Sequence, residues 1–300
     1  MTDMKWGVER RLEFIEFRLF WEGGVNRADL IEMFGVSVPQ ASKDLTLYQE
    51  KAPGNALYDK SARRYVAGAG FRPVFLDPDP DAWLLRLRSA AEGFADAGGN
   101  WLAAPPEADM ALTPRRKVDT AALRGILAAL REGASLEILY QSMNPARPDP
   151  VWRRISPHAF GYDGFRWHVR AWCHETGKFK DFLLPRVLDI GERGAAGASG
   201  EGDRLWHDHF DIVIAPHPGL SAGQQAVVAR DYGMADGRAV LATRYAMLFY
   251  VLKRLGLLED ARDRDPRTQY IVAENPAAVV AALRRANFEF DEAGQTGGGS

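Results

Sequence analysis

Apolar residues recur at helical spacing through the first fifty positions and then begin to alternate with polar ones. The spacing predicts three helices, one ending before Gly23, one over residues 26–34 and one over residues 38 to about 50. Gly35 supplies a sharp turn between the second and third of these helices. The alternation over residues 56–66 around a short turn predicts a β-hairpin.

The order of helix, tight turn, helix and hairpin is the layout of a winged helix-turn-helix domain, which we place over residues 1–70. One face of the third helix is apolar and is expected to pack in the core; it consists of Val38, Ala41, Leu45 and Tyr48. The opposite face carries short polar residues of the kind that reach base edges and phosphates. The predicted DNA-contacting residues of this helix are Pro39, Gln40, Ser42, Lys43 and Thr46.

The hairpin is basic at its tip and return strand, where Lys60, Arg63 and Arg64 are suited to contact a phosphate backbone. From residue 37 to residue 66 there are five basic residues against three acids. The alternative is a three-helix packing unit that makes protein contacts and happens to carry a basic hairpin. Because helix, recognition helix and basic wing occur in the right order, the pattern favours DNA binding.

Residues 71–133 are rich in Pro, Gly and Ala, and we predict a helical linker there. Helical spacing of apolar residues over 81–94 predicts a first helix within it. A second helix is predicted to begin after Asp119 as its N-cap and to end at Gly133.

The remaining sequence divides into a β-rich part and a mixed part. Short strand-like runs over 134–193, with an Asp163-Gly164 hairpin turn, predict a small, strongly curved, barrel-like sheet. Residues 194–204 are Gly/Ala-rich and are predicted to be a flexible linker. Helices and strands mix over 205–290, which predicts an α+β domain followed by a disordered tail over 291–300.

The composition excludes several classes of site and partner but does not identify the function. The chain has 300 residues, 38 basic and 40 acidic, so its formal charge of −2 does not by itself indicate nucleic acid as a partner. A single cysteine, Cys173, excludes an internal disulfide framework and a Cys-rich zinc site. Neither a signal peptide nor a membrane-spanning run is visible in the sequence, so we predict a cytoplasmic protein without a membrane partner.

The β-rich part carries a recognisable motif. Residues 164–173, Gly-Phe-Arg-Trp-His-Val-Arg-Ala-Trp-Cys, are followed by Phe-Lys-Asp-Phe-Leu-Leu-Pro-Arg-Val at 179–187. With Tyr-Gln-Ser at 140–142 and Ile-Ser-Pro-His at 155–158, this stretch resembles the core of WYL-domain transcriptional regulators. The resemblance extends from about residue 5 to 290 and is closest to the branch that regulates bacterial anti-phage defence operons of the BREX and CBASS types.

This resemblance implies a multidomain α+β chain with a winged helix-turn-helix, a central Sm-like small β-barrel (the WYL domain) and a C-terminal dimerisation extension. It also implies a homodimer and a pocket that senses a nucleotide or nucleic-acid effector. Trp167 matches the namesake triplet, whereas His168 and Val169 stand where tyrosine and leucine are usual. Because histidine carries charge near neutral pH, its presence is expected to affect ligand choice or pH dependence.

Alternation along a strand gives two faces to the segment around Trp167. Arg166, His168 and Arg170 share the face expected to project outward. Trp167, Val169 and Ala171 share the face expected to pack in the core. A polar strand face of this kind is commonly exposed to water and has no other role. The ligand site is inferred from the resemblance to WYL-domain regulators. The resulting ligand-binding candidates are Ser142, His158, Arg166, His168, Arg170 and Arg186.

No catalytic residue, metal site or cofactor is predicted. Cys173 and His174 are adjacent on a strand and therefore point to opposite faces, which disfavours a nucleophile–base pair. His207, His209 and Asp211 are more simply explained as a polar strand entry than as metal ligands. Phosphate-binding glycine motifs are absent from the sequence.

Together these features predict a homodimeric, ligand-responsive DNA-binding regulator that represses its own or an anti-phage defence operon by binding an inverted repeat in double-stranded DNA. One alternative is a nucleic-acid-processing enzyme targeted by the helix-turn-helix, which is disfavoured because no acid, base or metal cluster is assembled. A non-catalytic protein-interaction module is the other alternative, and the sequence leaves it open.

Overall fold

The structure is a computed structural model that describes residues 6–94, 101–111 and 116–294, with side chains described up to residue 286. The chain forms two compact units, Met1–Leu112 and Thr113–Ser300. Each unit is described by itself.

The first unit has the predicted helices and hairpin. Its elements are α1 (Trp6–Trp21), α2 (Arg27–Phe34), α3 (Val38–Lys51), β1 (Ala56–Asp59), β2 (Arg64–Ala67) and α4 (Pro80–Ala91). Asn26 caps α2 in a capping box with Asp29, and Ser37 accepts a hydrogen bond from the Gln40 amide at the start of α3. Gly35 ends α2 in the left-handed region with φ 63°, which glycine adopts without a steric penalty. The two helices, their tight turn and the antiparallel hairpin of β1 and β2 confirm the winged helix-turn-helix fold.

The core of this unit is larger than residues 1–70. Trp101 is 3% exposed and packs edge-on against Phe14 and Phe17 of α1, with ring centroids 5.6 and 5.4 Å away. Trp83 and Leu87 of α4 also pack against this core. The boundary predicted at residue 70 is therefore too early, because three short helices leave an apolar surface that the segment after the wing covers.

A buried carboxylate attaches that segment to the helices. Glu16 is fully buried, and its Oε2 accepts hydrogen bonds from the backbone amides of Val74, Phe75 and Leu76 at 2.6–2.8 Å. Its Oε1 accepts a hydrogen bond of 2.8 Å from the Tyr48 hydroxyl. The carboxylate thus satisfies three amides that belong to no helix or strand.

The second unit is a barrel-like sheet followed by a mixed domain. Its first part consists of α5 (Thr120–Glu132), β3 (Ser135–Tyr140), β4 (Val151–Tyr162), β5 (Trp167–Cys173), β6 (Lys178–Leu183) and β7 (Val187–Gly194). Its second part consists of α6 (Arg204–His207), β8 (His209–Pro216), α7 (Ala222–Asp231), β9 (Ala239–Arg244), α8 (Tyr245–Leu255), β10 (Ile271–Ala273) and α9 (Pro276–Gly294). The helix predicted between Asp119 and Gly133 is present with both predicted caps.

The first part is a five-stranded antiparallel sheet in the order β6-β5-β4-β3-β7. Register shifts within β4 and β7 curve it, so that the Tyr140 hydroxyl accepts a hydrogen bond of 3.2 Å from the Leu183 amide at the end of edge strand β6. Helix α5 packs its buried face, including Ile126, against Leu136 and Ile155 of the sheet. The predicted small curved barrel is confirmed.

The segment predicted to be a flexible linker, 194–204, is ordered and packed. The Gly197 amide donates a hydrogen bond of 3.0 Å to the Ser156 hydroxyl, and Gly200 begins a short 3-10 turn. A Cβ at Gly200 would overlap the His158 ring, so this glycine permits close packing rather than mobility.

The second part is an α+β arrangement with a three-stranded antiparallel sheet in the order β10-β8-β9. Ile212 and Ile214 of β8 pack against Leu248 and Leu252 of α8 in its core. Helix α9 continues through Gly294, four residues into the predicted tail, and residues 295–300 lie outside the described residues. No helix in the described part of the chain has the length and apolarity needed to cross a bilayer.

Candidate DNA-binding surface and ligand cavity

The predicted DNA-contacting residues of α3 lie along one side of the helix. Pro39, Lys43 and Thr46 are exposed, and Gln40 and Ser42 are half-buried. The hydroxyls of Ser42 and Thr46 donate to carbonyl oxygens one turn earlier, at 3.0 and 3.1 Å. Lys43 therefore presents an exposed cation. The side chains beside it are short and polar, so they leave room for a ligand to approach the helix backbone closely.

The apolar face of α3 differs from the predicted one at two positions. Ala41, Leu45 and Tyr48 are buried as expected, but Val38 is 55% exposed because it lies in the first turn, before the helix meets the core. Asp44, 1% exposed, is buried instead, and its Oδ2 lies 2.6 Å from Arg11 Nε. The other oxygen of Asp44 accepts a hydrogen bond of 2.9 Å from the Gln40 side-chain amide, which orients Gln40 on the side of α3 that is predicted to contact DNA.

The three basic wing residues have two different environments. Lys60 and Arg63 are exposed at the tip, where Arg63 takes a left-handed backbone conformation with φ 52°. The guanidinium of Arg64 points back into the domain, and its Nη2 donates to the Gly24 and Glu22 carbonyl oxygens at 2.5 and 3.2 Å. Arg64 thus attaches the wing to the α1–α2 loop, while Lys60 and Arg63 present the accessible charge.

The second unit contains a cavity of about 470 Å³ between the five-stranded sheet and helices α6, α8 and α9. Five of the six predicted ligand-binding residues line it, namely Ser142, Arg166, His168, Arg170 and Arg186. Phe249 and Tyr250 of α8 contribute an apolar wall opposite them. His158, the sixth candidate, lies outside this cavity.

The polar face of β5, which the sequence predicts to project outward, is covered in the structure. His168 and Arg170 are each 4% exposed, and the Tyr250 ring lies 4.9 Å from the His168 ring. Val169 and Ala171 are buried as predicted, whereas Trp167 is 50% exposed and packs on Tyr162. The polar face is covered because α8, about eighty residues later in the chain, packs over it.

A buried carboxylate holds the side chains of Arg166 and His168 at the cavity. Asp163 Oδ2 lies 2.8 Å from Arg166 Nε and 3.2 Å from His168 Nε2. Burial works to raise the pKa of Asp163, but hydrogen bonds from Arg166, the Phe165 amide and His168 outweigh it and lower the pKa to about 2. This residue is therefore ionised at neutral pH and fixes the positions of Arg166 and His168.

A second carboxylate holds Arg170. Asp203, at the start of α6, lies 2.7 Å from Arg170 Nε through Oδ2 and 3.1 Å from Arg170 Nη2 through Oδ1. His158 Nε2 approaches the same Oδ2 at 3.0 Å, so His158 supports the cavity from behind Asp203. Burial works to raise the pKa of Asp203, but the bonds from His158 and Arg170 lower it to about 2.

Sequence reasoning missed these carboxylates. Asp163 was noted only as a turn residue, and Asp203 fell in the predicted linker. A buried acid has no signal of its own in a sequence, because its burial depends on partners that are distant along the chain.

The cavity carries an excess of positive charge. Its lining includes six basic residues, Arg147, Arg153, Arg166, Arg170, Lys180 and Arg186, and one acid, Asp181. Within the described part of the chain, Arg186 has no ion-pair partner. Guanidinium groups bind phosphate and carboxylate in bidentate geometry, so the cavity is chemically suited to an anionic ligand with an apolar portion. Among the described residues no group of three potential metal ligands is present.

Comparisons with known proteins match the domain order. Residues 7–89 match the family model of the BrxR transcriptional regulator winged helix-turn-helix domain, 121–191 the WYL domain, and 209–279 the BrxR transcriptional regulator C-terminal dimerization domain. A winged helix, a WYL domain and a dimerisation domain in one chain define a WYL-domain transcriptional regulator.

Curated relatives identify the family more narrowly. The chain is 38% identical to the DNA-binding transcriptional repressor CapW of Stenotrophomonas maltophilia over 94% of each chain. It is 38% identical to CapW of Escherichia coli (strain KTE188), over 94% of this chain and 93% of the relative, and 37% identical to that of Pseudomonas aeruginosa over 90% of each. The chain belongs to the CapW family of transcriptional repressors, which confirms the resemblance found in the sequence.

A solved structure, proteasome accessory factor B/C of Arthrobacter aurescens, aligns at 17% identity over 95% of this chain and 49% of that one. Its TM-score is 0.26, too low to support a structural argument.

Proposed function

We propose that this protein is a homodimeric repressor that binds an inverted-repeat operator through its winged helix-turn-helix and releases it when a nucleotide or nucleic-acid ligand occupies the cavity. The operator is placed upstream of its own gene or of an anti-phage defence operon, as for the regulators that the sequence resembles. The relatives are named as DNA-binding repressors, which supports the DNA-binding half of the proposal.

The DNA-contacting surface is assigned to α3 and the wing tip. Pro39, Gln40, Ser42, Lys43 and Thr46 are proposed to meet the major groove, and Lys60 and Arg63 the phosphate backbone. Arg64 is assigned to hold the wing in place, because its guanidinium is already bonded to backbone carbonyls. In a symmetric dimer the two recognition helices meet half-sites about one helical turn apart, or a multiple of it.

The ligand-sensing part of the proposal rests on one observation: a single cavity is lined by Ser142, Arg166, His168, Arg170 and Arg186. These residues come from separate strands and loops, and their cationic groups outnumber the carboxylate at the lining. Coupling between such a site and operator binding is typically worth about 1–3 kcal/mol, or roughly 5- to 150-fold in affinity.

Operator binding is tested by mobility shift on the protein's own upstream region. Replacing Lys60 and Arg63 together by alanine is expected to weaken the complex, because two phosphate contacts are lost. The slope of the logarithm of the affinity against the logarithm of the salt concentration is expected to become shallower by about 2. Replacing Arg193 by alanine is the control, because this exposed residue pairs with Glu132 on the second unit. An unchanged salt slope in the wing double variant would show that the wing assignment is wrong.

Ligand response is tested in the same assay with added mononucleotides and short oligonucleotides. Arg186→Gln removes a cavity cation that has no ion-pair partner in the described part of the chain, so it is expected to spare the fold and to reduce release of the operator. If the variant releases DNA at the same ligand concentration as the wild type, the sensor site lies elsewhere.

A further inference from the structure

Two buried polar atoms in the cavity have no hydrogen-bond partner among the described residues. They are Nε of Arg153 on β4 and the hydroxyl oxygen of Thr176 in the β5–β6 turn, and both residues line the cavity. The Arg153 side chain is only 8% exposed. An unpaired donor at such a depth costs free energy, so both atoms are available for a hydrogen bond to a water molecule or a ligand in the cavity.

The surroundings of these two atoms are strongly basic. Arg147 Nη1 and Arg153 Nη1 lie 3.1 and 3.5 Å from the Glu175 carboxylate. Lys180 adds a third cation, and its pKa is lowered by burial and by the neighbouring charges of Arg153 and Arg147. Three cations thus face one carboxylate, which leaves an excess of positive charge around the unpaired donors.

This cluster is separate from the one held by Asp163 and Asp203. In the ladder of β5 and β6, Lys180 is opposite Ala171 and Asp181 is opposite Arg170. Neighbouring residues of a strand point to opposite faces, so Lys180 and the Arg170–Asp181 pair lie on opposite sides of β6. Strand β6 lies at the edge of the sheet, and Lys180 and Asp181, from its two faces, both line the cavity.

We propose that Arg153, Thr176 and Lys180, with Arg147 beside them, form an inner anion subsite that binds a phosphoryl group of the effector. The subsite offers a guanidinium N–H, a hydroxyl and an ammonium group, and separate donors of this kind suit the several oxygens of a phosphate. The outer cations Arg166 and Arg186 take a second anionic group. The effector is therefore a ligand with at least two phosphates, such as a dinucleotide or longer oligonucleotide, that extends around β6.

This inference rests on the proposed ligand-sensing function and narrows its ligand class. A ligand with one phosphate would satisfy the outer cations or the inner donors, but not both. The ligand class is therefore decided by comparing a probe with two phosphates, a probe with one phosphate and inorganic phosphate alone.

The test is calorimetric titration of the full-length protein with the dinucleotide pApA, with AMP and with inorganic phosphate. The wild type is expected to bind pApA at least about tenfold more tightly than AMP, because only pApA reaches both subsites. Lys180→Met is expected to weaken pApA about 10- to 100-fold and Thr176→Val about three- to tenfold. Lys117→Met is the matched control, since Lys117 is exposed and does not line the cavity.

Thr176→Val also separates a ligand site from a structural role. The Thr176 hydroxyl has no hydrogen-bond partner in the part of the chain that the structure describes, so its replacement by a methyl group of similar shape is expected to leave the melting temperature unchanged or slightly raised. A clear drop in melting temperature would show that the hydroxyl serves the fold and would overturn the assignment.

The outcomes distinguish this inference from the function on which it rests. If Arg166→Gln weakens pApA while Lys180→Met and Thr176→Val bind it like the wild type, ligand sensing stands and the inner subsite is wrong. If the inner variants lose pApA binding but pApA never releases operator DNA from the wild type, the subsite stands and the proposed function fails. Failure of all three probes to bind the wild type would overturn the inner subsite.

Discussion

Buried carboxylates organise this protein at the scale of single residues. Glu16, Asp44, Asp163 and Asp203 are each 8% exposed or less. Glu16, Asp44 and Asp203 accept hydrogen bonds from groups far along the chain, whereas Asp163 accepts them from residues of its own turn and the strand that follows. In a sequence such acids resemble the charged surface residues that surround them. Their roles follow from the groups that the fold brings to them.

Replacing Glu16 by alanine is expected to lower the free energy of unfolding of the first unit by about 3 kcal/mol, because three amides and a tyrosine hydroxyl lose their acceptor. Urea denaturation followed by tryptophan fluorescence measures this. Glu13→Ala is the control, since Glu13 forms only an i,i+3 pair with Arg10 and is expected to cost less than about 1 kcal/mol. Equal costs for the two variants would contradict the role given to Glu16.

Arg63 and Arg64 are adjacent but are expected to respond differently. Arg64→Ala removes the contacts to the Gly24 and Glu22 carbonyls and is expected to cost about 1–2 kcal/mol of stability. Arg63→Ala is expected to leave stability within about 0.5 kcal/mol while weakening operator binding. Thermal melts and mobility shifts on the two single variants check this; a stability loss in Arg63→Ala and none in Arg64→Ala would reverse the assignment.

At the scale of elements, the β4–β5 turn and the start of α6 are tied to the barrel by ionised carboxylates. The pKa of both Asp163 and Asp203 falls from an ordinary 3.8 to about 2. A depressed pKa contributes stability that is present above pH 3.8 and is lost as pH falls through 2. Unfolding of the second unit is therefore expected to become easier across this window.

Asp203→Asn isolates one of these contributions. The variant loses the ion pair to Arg170 at neutral pH, and its stability is expected to fall less steeply than that of the wild type between pH 4 and pH 2. Urea denaturation at a series of pH values measures both slopes. Parallel slopes would show that Asp203 titrates in the folded state as it does in the unfolded chain.

At the scale of the whole molecule, net charge and dimerisation act together. Residues 1–70 contain ten basic and ten acidic residues, so non-specific attraction to DNA is modest. Under the proposed function, specific binding depends on a few placed side chains and on two subunits that bind the operator at once. The C-terminal match to a dimerisation domain is consistent with that requirement.

A fragment of residues 1–112 is expected to fold, because it holds its complete core, but to bind a full operator at least about tenfold more weakly than the whole chain. A fragment ending at residue 70 is expected to be unstable, since it lacks Trp101 and the amides bound by Glu16. Circular dichroism and mobility shift compare the two fragments. Full-strength operator binding by the 1–112 fragment would show that dimer geometry matters little.

Much of the fold was determined by the sequence alone. Apolar spacing and the caps Asn26, Ser37 and Asp119 placed the helices, because these signals act within a few residues of one another. The Asp163-Gly164 turn and the strand-like runs on either side placed the barrel hairpin for the same reason. The motif around Trp167 indicated the WYL domain and nominated five residues that share one cavity.

Only the tertiary structure decided which of those residues are buried, paired or free. The sequence predicted Trp167 in the core and His168 on an outward face. In the structure Trp167 is half-exposed, and His168 is buried because α8 covers the polar face of β5. Tertiary contacts also hold the Gly/Ala-rich segment 194–204 in a packed conformation and place Asp203 beside Arg170. Local signals set the helices and strands, but exposure and charge pairing depend on contacts between distant segments, and no local pattern encodes them.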